Sequence, residues 1–192
     1  MPEPIDRLLA AIAAGDDDRT EAAAQAVESM GDAALTPLRG LLASDDCDRR
    51  WWAVRALAAV GTSAAIEELV TALADPDPDV RACAVVALAE RRPATAVEPL
   101  VACLSDPSAY VARLVADGLA QFGQPAAAAL IEALETGDVA ARAGAARALS
   151  VIQPEEAIPA LFAALDDPSA VVTYYAEEAL ARMGVGMVFF EP

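Results

Sequence analysis

The sequence has 192 residues, of which 56% are apolar, and this is enough to bury a continuous hydrophobic core. Its formal net charge of −17 argues against a nucleic acid partner, because proteins that bind phosphates need a basic surface. Histidine is absent and every basic residue is arginine. The commonest general acid–base, the commonest transition-metal ligand and Schiff-base chemistry on lysine are therefore excluded.

Two further features bear on location and on cofactors. The sequence has no long uncharged apolar run, and Met1–Pro4 does not resemble the start of a signal peptide, so we expect a cytoplasmic protein that does not enter a membrane. Cys47, Cys83 and Cys103 lack metal-ligand spacing and are interpreted as small hydrophobic residues. The sequence thus predicts no metal, no cofactor and no catalytic residue.

The first predicted elements, near residues 2–31, show a pattern that returns along the whole chain. Ile5, Leu8 and Ile12 lie at i, i+3 and i+7, which places them on one stripe of a helix. A polar turn rich in aspartate follows, then a second, alanine-rich helix closed by Val27. Gly31 comes four residues later, where a helix end favours a residue with positive φ.

The same pair of helices is predicted near residues 32–61, 62–92, 93–123, 124–153 and 154–184. The residue that closes the second helix recurs every 30 or 31 residues, at Val27, Leu57, Leu88, Leu119, Leu149 and Leu180. Prolines and aspartates in the turns stop the first helix and cap the second. One such hairpin cannot bury its own apolar face, but a stack of hairpins can. We therefore predict an all-α solenoid of about six hairpins, with twelve helices of roughly 10–13 residues and a single domain over residues 1–184.

The repeat seen best, DPDPDVRACAVVAL at 75–88 with AVEPLVACL at 96–104, resembles the HEAT-like repeat of the phycobilin-lyase group. The resemblance covers about Pro4 to Gly184. It implies a right-handed α-α superhelix that serves mainly as an interaction scaffold, although some members are bilin lyases or enzyme subunits. It also implies a structural ladder in which arginines tie repeats to aspartates of the turns, carried here by Arg50, Arg81, Arg142 and Asp79.

Helical geometry then indicates which side chains are free to bind a partner. On each second helix, the positions six, five, three and two residues before the closing residue point away from the packing stripe. In the family these positions line the concave face of the stack. Aromatic and charged residues occur there, and such residues dominate binding energy at protein interfaces. The candidate partner-binding residues are Trp51, Trp52, Arg55, Arg113, Asp117, Arg147, Tyr174, Tyr175 and Glu178.

An apolar C-terminal tail, residues 185–192, follows the last repeat and includes Phe189 and Phe190. Uncapped solenoids expose their core, so this tail is predicted to cap the stack, with docking onto a second copy or a partner as the alternative. The expected state is a monomer, or a weak homodimer formed through the tail.

The sequence therefore predicts a non-catalytic scaffold that binds a peptide or protein, with arginine contacting an acidic group of the partner. Two alternatives remain. One is a lyase-like protein that binds a tetrapyrrole between the aromatic residues, and the other is a regulatory subunit of an enzyme complex.

Overall fold

The computed structural model describes residues 3–185, and this range is built of helices with no strand. The predicted all-α repeat fold is confirmed. The predicted tail, apart from Val185, lies outside the described residues. The chain divides into two compact units, Met1–Pro93 and Ala94–Pro192, each with three helical hairpins. The prediction of one domain over residues 1–184 stays a prediction.

Unit 1 contains six α-helices, in which the even-numbered helices are the second members of the hairpins. Their bounds are α1 Pro4–Ala14, α2 Asp17–Ala26, α3 Leu35–Leu42, α4 Cys47–Val60, α5 Ser63–Ala72 and α6 Pro78–Arg91. A 3-10 segment, Val27–Ala34, joins the first two hairpins. Within this unit α2 packs on α4, and α4 packs on α6.

Unit 2 repeats this arrangement, and two of its three first helices are shorter than those of unit 1. Its α-helices are α7 Val97–Ala102, α8 Ala109–Phe122, α9 Ala127–Thr136, α10 Val139–Ile152, α11 Ile158–Ala163 and α12 Ala170–Arg182. The 3-10 segments are Ala94–Ala96, Cys103–Ser105, Gln124–Ala126, Glu155–Ala157 and Ala164–Asp166. Both α7 and α11 have six residues, fewer than predicted. Pro99 and Pro159 lie near their starts, and because proline lacks an N–H group, regular α-helix begins only just before each of them.

The turns within hairpins are held by the residues that the sequence predicts. Asp16, Asp46, Asp77 and Asp138 each accept a hydrogen bond from a backbone N–H group in the first turn of the second helix. Ser108 and Ser169 occupy the same position on α8 and α12 without a side-chain capping bond. An aspartate cap contributes about 1 kcal/mol to a helix, so four of the six second helices have this local stabilisation.

The ends of the second helices also follow the prediction. The six residues that come four after each closing residue all have positive φ, and two of them, Arg92 and Gln153, are not glycine. Their φ values are 50° and 56°. A left-handed conformation costs a non-glycine residue about 1–2 kcal/mol, so the packing on either side of these turns must outweigh that strain.

The core consists of the two predicted apolar columns. The closing residues of the second helices, from Val27 to Leu180, are at most 2% exposed. The central leucines of the first helices are fully buried, at Leu8, Leu38, Leu69, Leu100, Leu130 and Leu161. Within each unit these side chains form one continuous apolar layer between the first and second helices, which leaves the outer positions of the second helices open for other roles.

Candidate functional site

The nine predicted binding residues divide between the two units, so each set is described within its own unit. Trp51 and Trp52 lie on α4 in unit 1, and both are half-buried. Their ring centroids are 4.8 Å apart and their planes are perpendicular, an edge-to-face pair. Such a pair is worth about 0.5–1.5 kcal/mol beyond its buried area, so each ring holds the other in place.

Arg55, one turn further along α4, makes an ion pair across the junction between two repeats. Its guanidinium donates two hydrogen bonds to the carboxylate of Glu21 on α2, with Nε 3.0 Å from Oε2. The half-buried Cys83 of α6 lies near this pair, and burial raises the pKa of its thiol to about 11. Cys83 is therefore a protonated, weakly reactive thiol at neutral pH.

Unit 2 holds three of the predicted residues in a connected chain of polar contacts across three second helices. Arg147 on α10 donates from Nε to Asp117 Oδ1 on α8 at 2.9 Å. It also donates from Nη1 to the hydroxyl of Tyr175 on α12 at 2.9 Å. The hydrogen bonds to Asp117 and then to Tyr175 raise the pKa of Arg147. This chain holds the Tyr175 ring in one orientation, and Tyr174 packs against it edge-on at 5.2 Å.

The other three predicted residues of unit 2 differ in their solvent exposure and in their hydrogen bonds. Tyr174 is 60% exposed, the highest value among the large apolar and aromatic side chains of the described chain. Arg113 on α8 is exposed, and within residues 3–185 no hydrogen bond or ion pair joins it to another side chain. Glu178 accepts a hydrogen bond from Arg182 Nη2 at 2.6 Å, one turn along the same helix. Tyr174 and Arg113 are therefore the members of this set most available to a partner.

Two of the four positions expected to face outward are covered, which corrects the helical-wheel prediction. The residue three before each closing residue is at most 1% exposed in five repeats, at Ala24, Val54, Val85, Ala116 and Ala146. In the last repeat the same position holds the exposed Glu177. The position five before is partly covered as well, because a Cβ atom on Gly144 would lie 2.8 Å from Leu104 Cδ2. These positions are covered because one hairpin stacks on the next. The sequence of a single helix does not reveal this burial.

The three arginines of the predicted ladder lie near the starts of second helices and bind the turns within hairpins. Arg50 donates two hydrogen bonds to the carboxylate of Asp75, and Arg142 does the same to Asp167. Both arginines also bind backbone carbonyls at the end of their own turn. Arg81 donates to the carbonyls of Asp75 and Pro76. These arginines tie the start of a second helix to the backbone of the turn that precedes it.

Asp79 lies apart from these contacts. Its carboxylate is exposed in the first turn of α6, and in the described part of the chain it bonds to no arginine. Two other aspartates act in the turn before α6. Asp75 accepts hydrogen bonds from Arg50 and from the backbone N–H of Asp77, and Asp77 caps α6. Asp75 and Asp77 precede the helix, whereas Asp79 is already within it and points outward.

The ion pairs of the ladder predict how stability responds to acid. The hydrogen bonds from Arg142 lower the pKa of Asp167, as does the backbone N–H of Ser169, although burial opposes them. A carboxyl whose pKa is lowered in the folded state stabilises the fold above its unfolded value of about 3.9. That contribution is lost as the pH falls through this value towards the folded pKa.

We therefore expect Asp167→Asn to lower the melting temperature at pH 7, and the gap to the parent protein to close as the pH falls below about 3.9. Thermal unfolding followed by circular dichroism at several pH values measures this. The exposed Asp18 provides the control, since Asp18→Asn should leave a small gap at every pH. A gap for Asp167→Asn that persists unchanged in acid would contradict the assignment.

A second set of arginine contacts was missed by the sequence analysis. Arg91 at the end of α6 donates to the carbonyls of Ala58 and Ala59 at the end of α4. Arg182 at the end of α12 donates to the carbonyl of Ser150 at the end of α10. The last carbonyls of a helix lack partners inside it, so an arginine of the next hairpin satisfies them. The signal was present in the sequence as an arginine two or three residues after the closing leucine.

One surface cluster within the described residues holds three potential metal ligands. The ligand atoms of Asp46, Cys47 and Asp48 lie within 4.8 Å of one another at the surface. Asp46 already caps α4, and exposed acidic groups of this kind need no ion to explain them. No helix within residues 3–185 is long and apolar enough to cross a membrane.

The repeats match a known family, and similar folds occur among solved structures. The chain matches the family model for HEAT repeats over residues 35–108 and 97–181. The search of curated proteins found no significant match. Among solved structures, the complex of CpcE and CpcF of phycocyanin lyase from Nostoc sp. PCC7120 is 27% identical with a TM-score of 0.52. That match covers 76% of this chain and 63% of the other, so this chain spans less than two thirds of it.

Two designed proteins are similar in fold. An engineered protein from a structural genomics consortium is 24% identical with a TM-score of 0.50, covering 97% of this chain and 100% of its own. A designed armadillo repeat protein in complex with the peptide (KR)4 is 21% identical with a TM-score of 0.48, covering 95% and 100%. At this level of identity the likeness concerns the fold alone.

Proposed function

Because this chain belongs to the HEAT-repeat family, we propose that it is a non-catalytic scaffold that binds a protein or peptide through the second helices of its repeats. The observation that carries this proposal is the environment of Tyr174. This ring is 60% exposed, and its neighbour Tyr175 is held by Arg147, which is held in turn by Asp117. An exposed aromatic residue on a rigid base is a typical hot spot of protein recognition.

The tryptophan pair of unit 1 supports the same proposal by a separate route. Trp51 and Trp52 each keep part of their surface in solvent, and the pair is ordered by its own edge-to-face contact. Ring pairs fixed before binding lose little conformational entropy when a partner arrives. Unit 1 therefore offers a second contact surface, which is tested independently of the surface on unit 2.

The charged groups near these rings favour binding over catalysis. Arg55, Arg147 and Asp117 are engaged in ion pairs. Histidine and lysine are absent from the sequence. A nucleophile next to a base, which a hydrolase or a transferase needs, is not found among these contacts. We infer that any chemistry in which this protein takes part is carried out by a partner chain.

Replacing Tyr174 by alanine should remove a partner captured from the source cells without disturbing the fold. Loss of a hot-spot aromatic residue weakens binding by about 2 kcal/mol or more, roughly thirtyfold. Pull-down with quantitative mass spectrometry measures the loss, and Trp51→Ala tests the surface on unit 1. Phe162→Ala is the matched control, because Phe162 is an aromatic residue exposed on α11, a first helix. Capture that survives both Tyr174→Ala and Trp51→Ala would contradict the proposal.

A second candidate function is the handling of a tetrapyrrole, which the similarity to the phycocyanin lyase complex favours. In that case the aromatic pairs contact a flat pigment instead of a protein. Titration of the purified chain with free bilin separates the two candidates. A protein-binding scaffold leaves the visible absorption of the bilin unchanged, whereas a bilin-binding protein shifts it, and the shift disappears in the Trp51→Ala or Tyr174→Ala variant.

A further inference from the structure

Exposed apolar side chains are concentrated at one place in unit 2. Five large apolar or aromatic residues of the described chain are more than half exposed, and four of these lie in the first two turns of α8, α10 and α12. They are Tyr110, Val139, Val171 and Tyr174, at 52%, 53%, 54% and 60%. Scattered exposed hydrophobic residues are ordinary, but a cluster on one face marks a contact surface.

Tyr110 and Val171 occupy equivalent positions, nine residues before the closing residues of their helices, and Val139 lies one position earlier in its own repeat. Tyr110 and Arg113 are three residues apart on α8, as are Val171 and Tyr174 on α12, so each pair shares one side of its helix. Helix α10, which begins with Val139, packs against both α8 and α12. Adjacent packed helices lie about 8–10 Å apart, so this surface extends roughly 20 Å across three helices. We call Tyr110, Arg113, Val139, Val171 and Tyr174 the unit 2 strip.

Arg113 gives the strip its charge. Arginines elsewhere in unit 2 are engaged, since Arg142 binds Asp167, Arg147 binds Asp117 and Arg182 binds Glu178. Arg113 is exposed between apolar side chains, and residues 3–185 supply it with no partner even though the sequence has 30 acidic residues. A planar guanidinium of this kind favours a carboxylate that binds through two oxygens.

The local charge around the strip is consistent with this ligand. Asp117, the carboxylate one turn along α8 from Arg113, is already paired with Arg147, and Asp138 caps the start of α10. Salt at physiological strength screens charges beyond about 8 Å, so the net charge of −17 does not prevent one carboxylate from reaching Arg113. A basic partner would instead meet Arg113 as a like charge without a neutralising group.

We propose that the unit 2 strip binds an apolar segment of a partner protein that carries a carboxylate among its apolar side chains. The carboxylate binds Arg113, and the apolar side chains cover Tyr174, Val171 and Tyr110. An extended segment of about six residues spans the strip, at about 3.3–3.6 Å per residue. This inference rests on the proposed function and adds to it the chemical class of the partner and residues that the sequence did not single out.

Selection from a phage-displayed library of random short peptides on the immobilised full chain tests the proposal. Enriched peptides should combine aromatic or aliphatic residues with aspartate or glutamate. Selection on the Arg113→Gln variant should remove the acidic residues from the enriched set and keep the apolar ones. Arg92→Gln is the matched control, because Arg92 is also exposed and without a side-chain partner in the described chain, but it lies in unit 1.

The affinity of one enriched peptide then gives the size of the effect. As measured by fluorescence anisotropy, Arg113→Gln should lower the affinity for the acidic peptide by about tenfold or more. It should not change the affinity for a version of the peptide in which glutamine replaces the acidic residue. Enrichment of lysine and arginine, or equal binding of both peptide versions to the parent chain, would overturn the inference. Either result would leave the scaffold proposal intact. The scaffold proposal itself fails if capture of a partner from lysate survives both Tyr174→Ala and Trp51→Ala.

Discussion

Replacing Ala146 by glutamate is expected to unfold unit 2, or to destabilise it by about 3–5 kcal/mol, the usual cost of a buried charge without a partner. Ala146 lies on α10, is 0% exposed and belongs to a column that is buried in five repeats. The sixth member of that column is already a glutamate, Glu177, and it is exposed. Urea denaturation followed by circular dichroism measures the change.

Glu177 supplies the control for this experiment, because it tests the same side chain at the equivalent position of another repeat. Glu177→Gln should change stability by no more than about 0.5 kcal/mol, as is usual at exposed sites. An equally small loss of stability in Ala146→Glu would show that α12 does not pack over Ala146 on α10.

The second large effect is expected from Leu149→Ala, which should destabilise the protein by about 2–5 kcal/mol. Leu149 closes α10 and is fully buried, and α10 packs against α8, α9 and α12. Removing three carbon atoms therefore opens a cavity at the centre of unit 2. Because each repeat depends mainly on its neighbours, the unfolding transition of unit 2 should shift more than that of unit 1.

A matched substitution at the surface separates packing from helix propensity. Leu9 lies on α1 and is 41% exposed, so Leu9→Ala should cost much less than Leu149→Ala. Calorimetric scans of both variants measure the difference. Similar losses for the two substitutions would show that the closing leucines do not form the core.

The candidate site could be predicted from the sequence only in part. Trp51, Arg113 and Tyr174 lie six residues before their closing residues and reach solvent, although Trp51 is half-buried and Ala82 at the same position is buried. The position three residues before was expected to be equally open, but Val54 and Ala116 are buried by the hairpin that stacks on them. A helical wheel describes one helix and contains no information on which neighbour covers its sides.

Apart from the arginine ladder, which the family resemblance implied, the partners of the charged residues were also beyond the sequence. That Arg147 contacts both Asp117 and Tyr175 depends on the rotation of α10 against α8 and α12. The same holds for Arg91, which reaches the end of α4 from a helix some thirty residues away in sequence. By contrast, no side chain within residues 3–185 pairs with Arg113, which lies six residues before Leu119, whereas Arg147 lies two residues before Leu149.

The sequence alone determined the repeat, its length and the buried leucine columns, because the spacing of apolar residues and the turn residues act within one hairpin. It also determined where the second helices end, since a residue with positive φ is required at each of those points. The tertiary structure decided which outer positions stay open and which charged groups pair. These properties depend on the angle and distance between packed hairpins, which arise from many contacts acting together and leave no local signature in the chain.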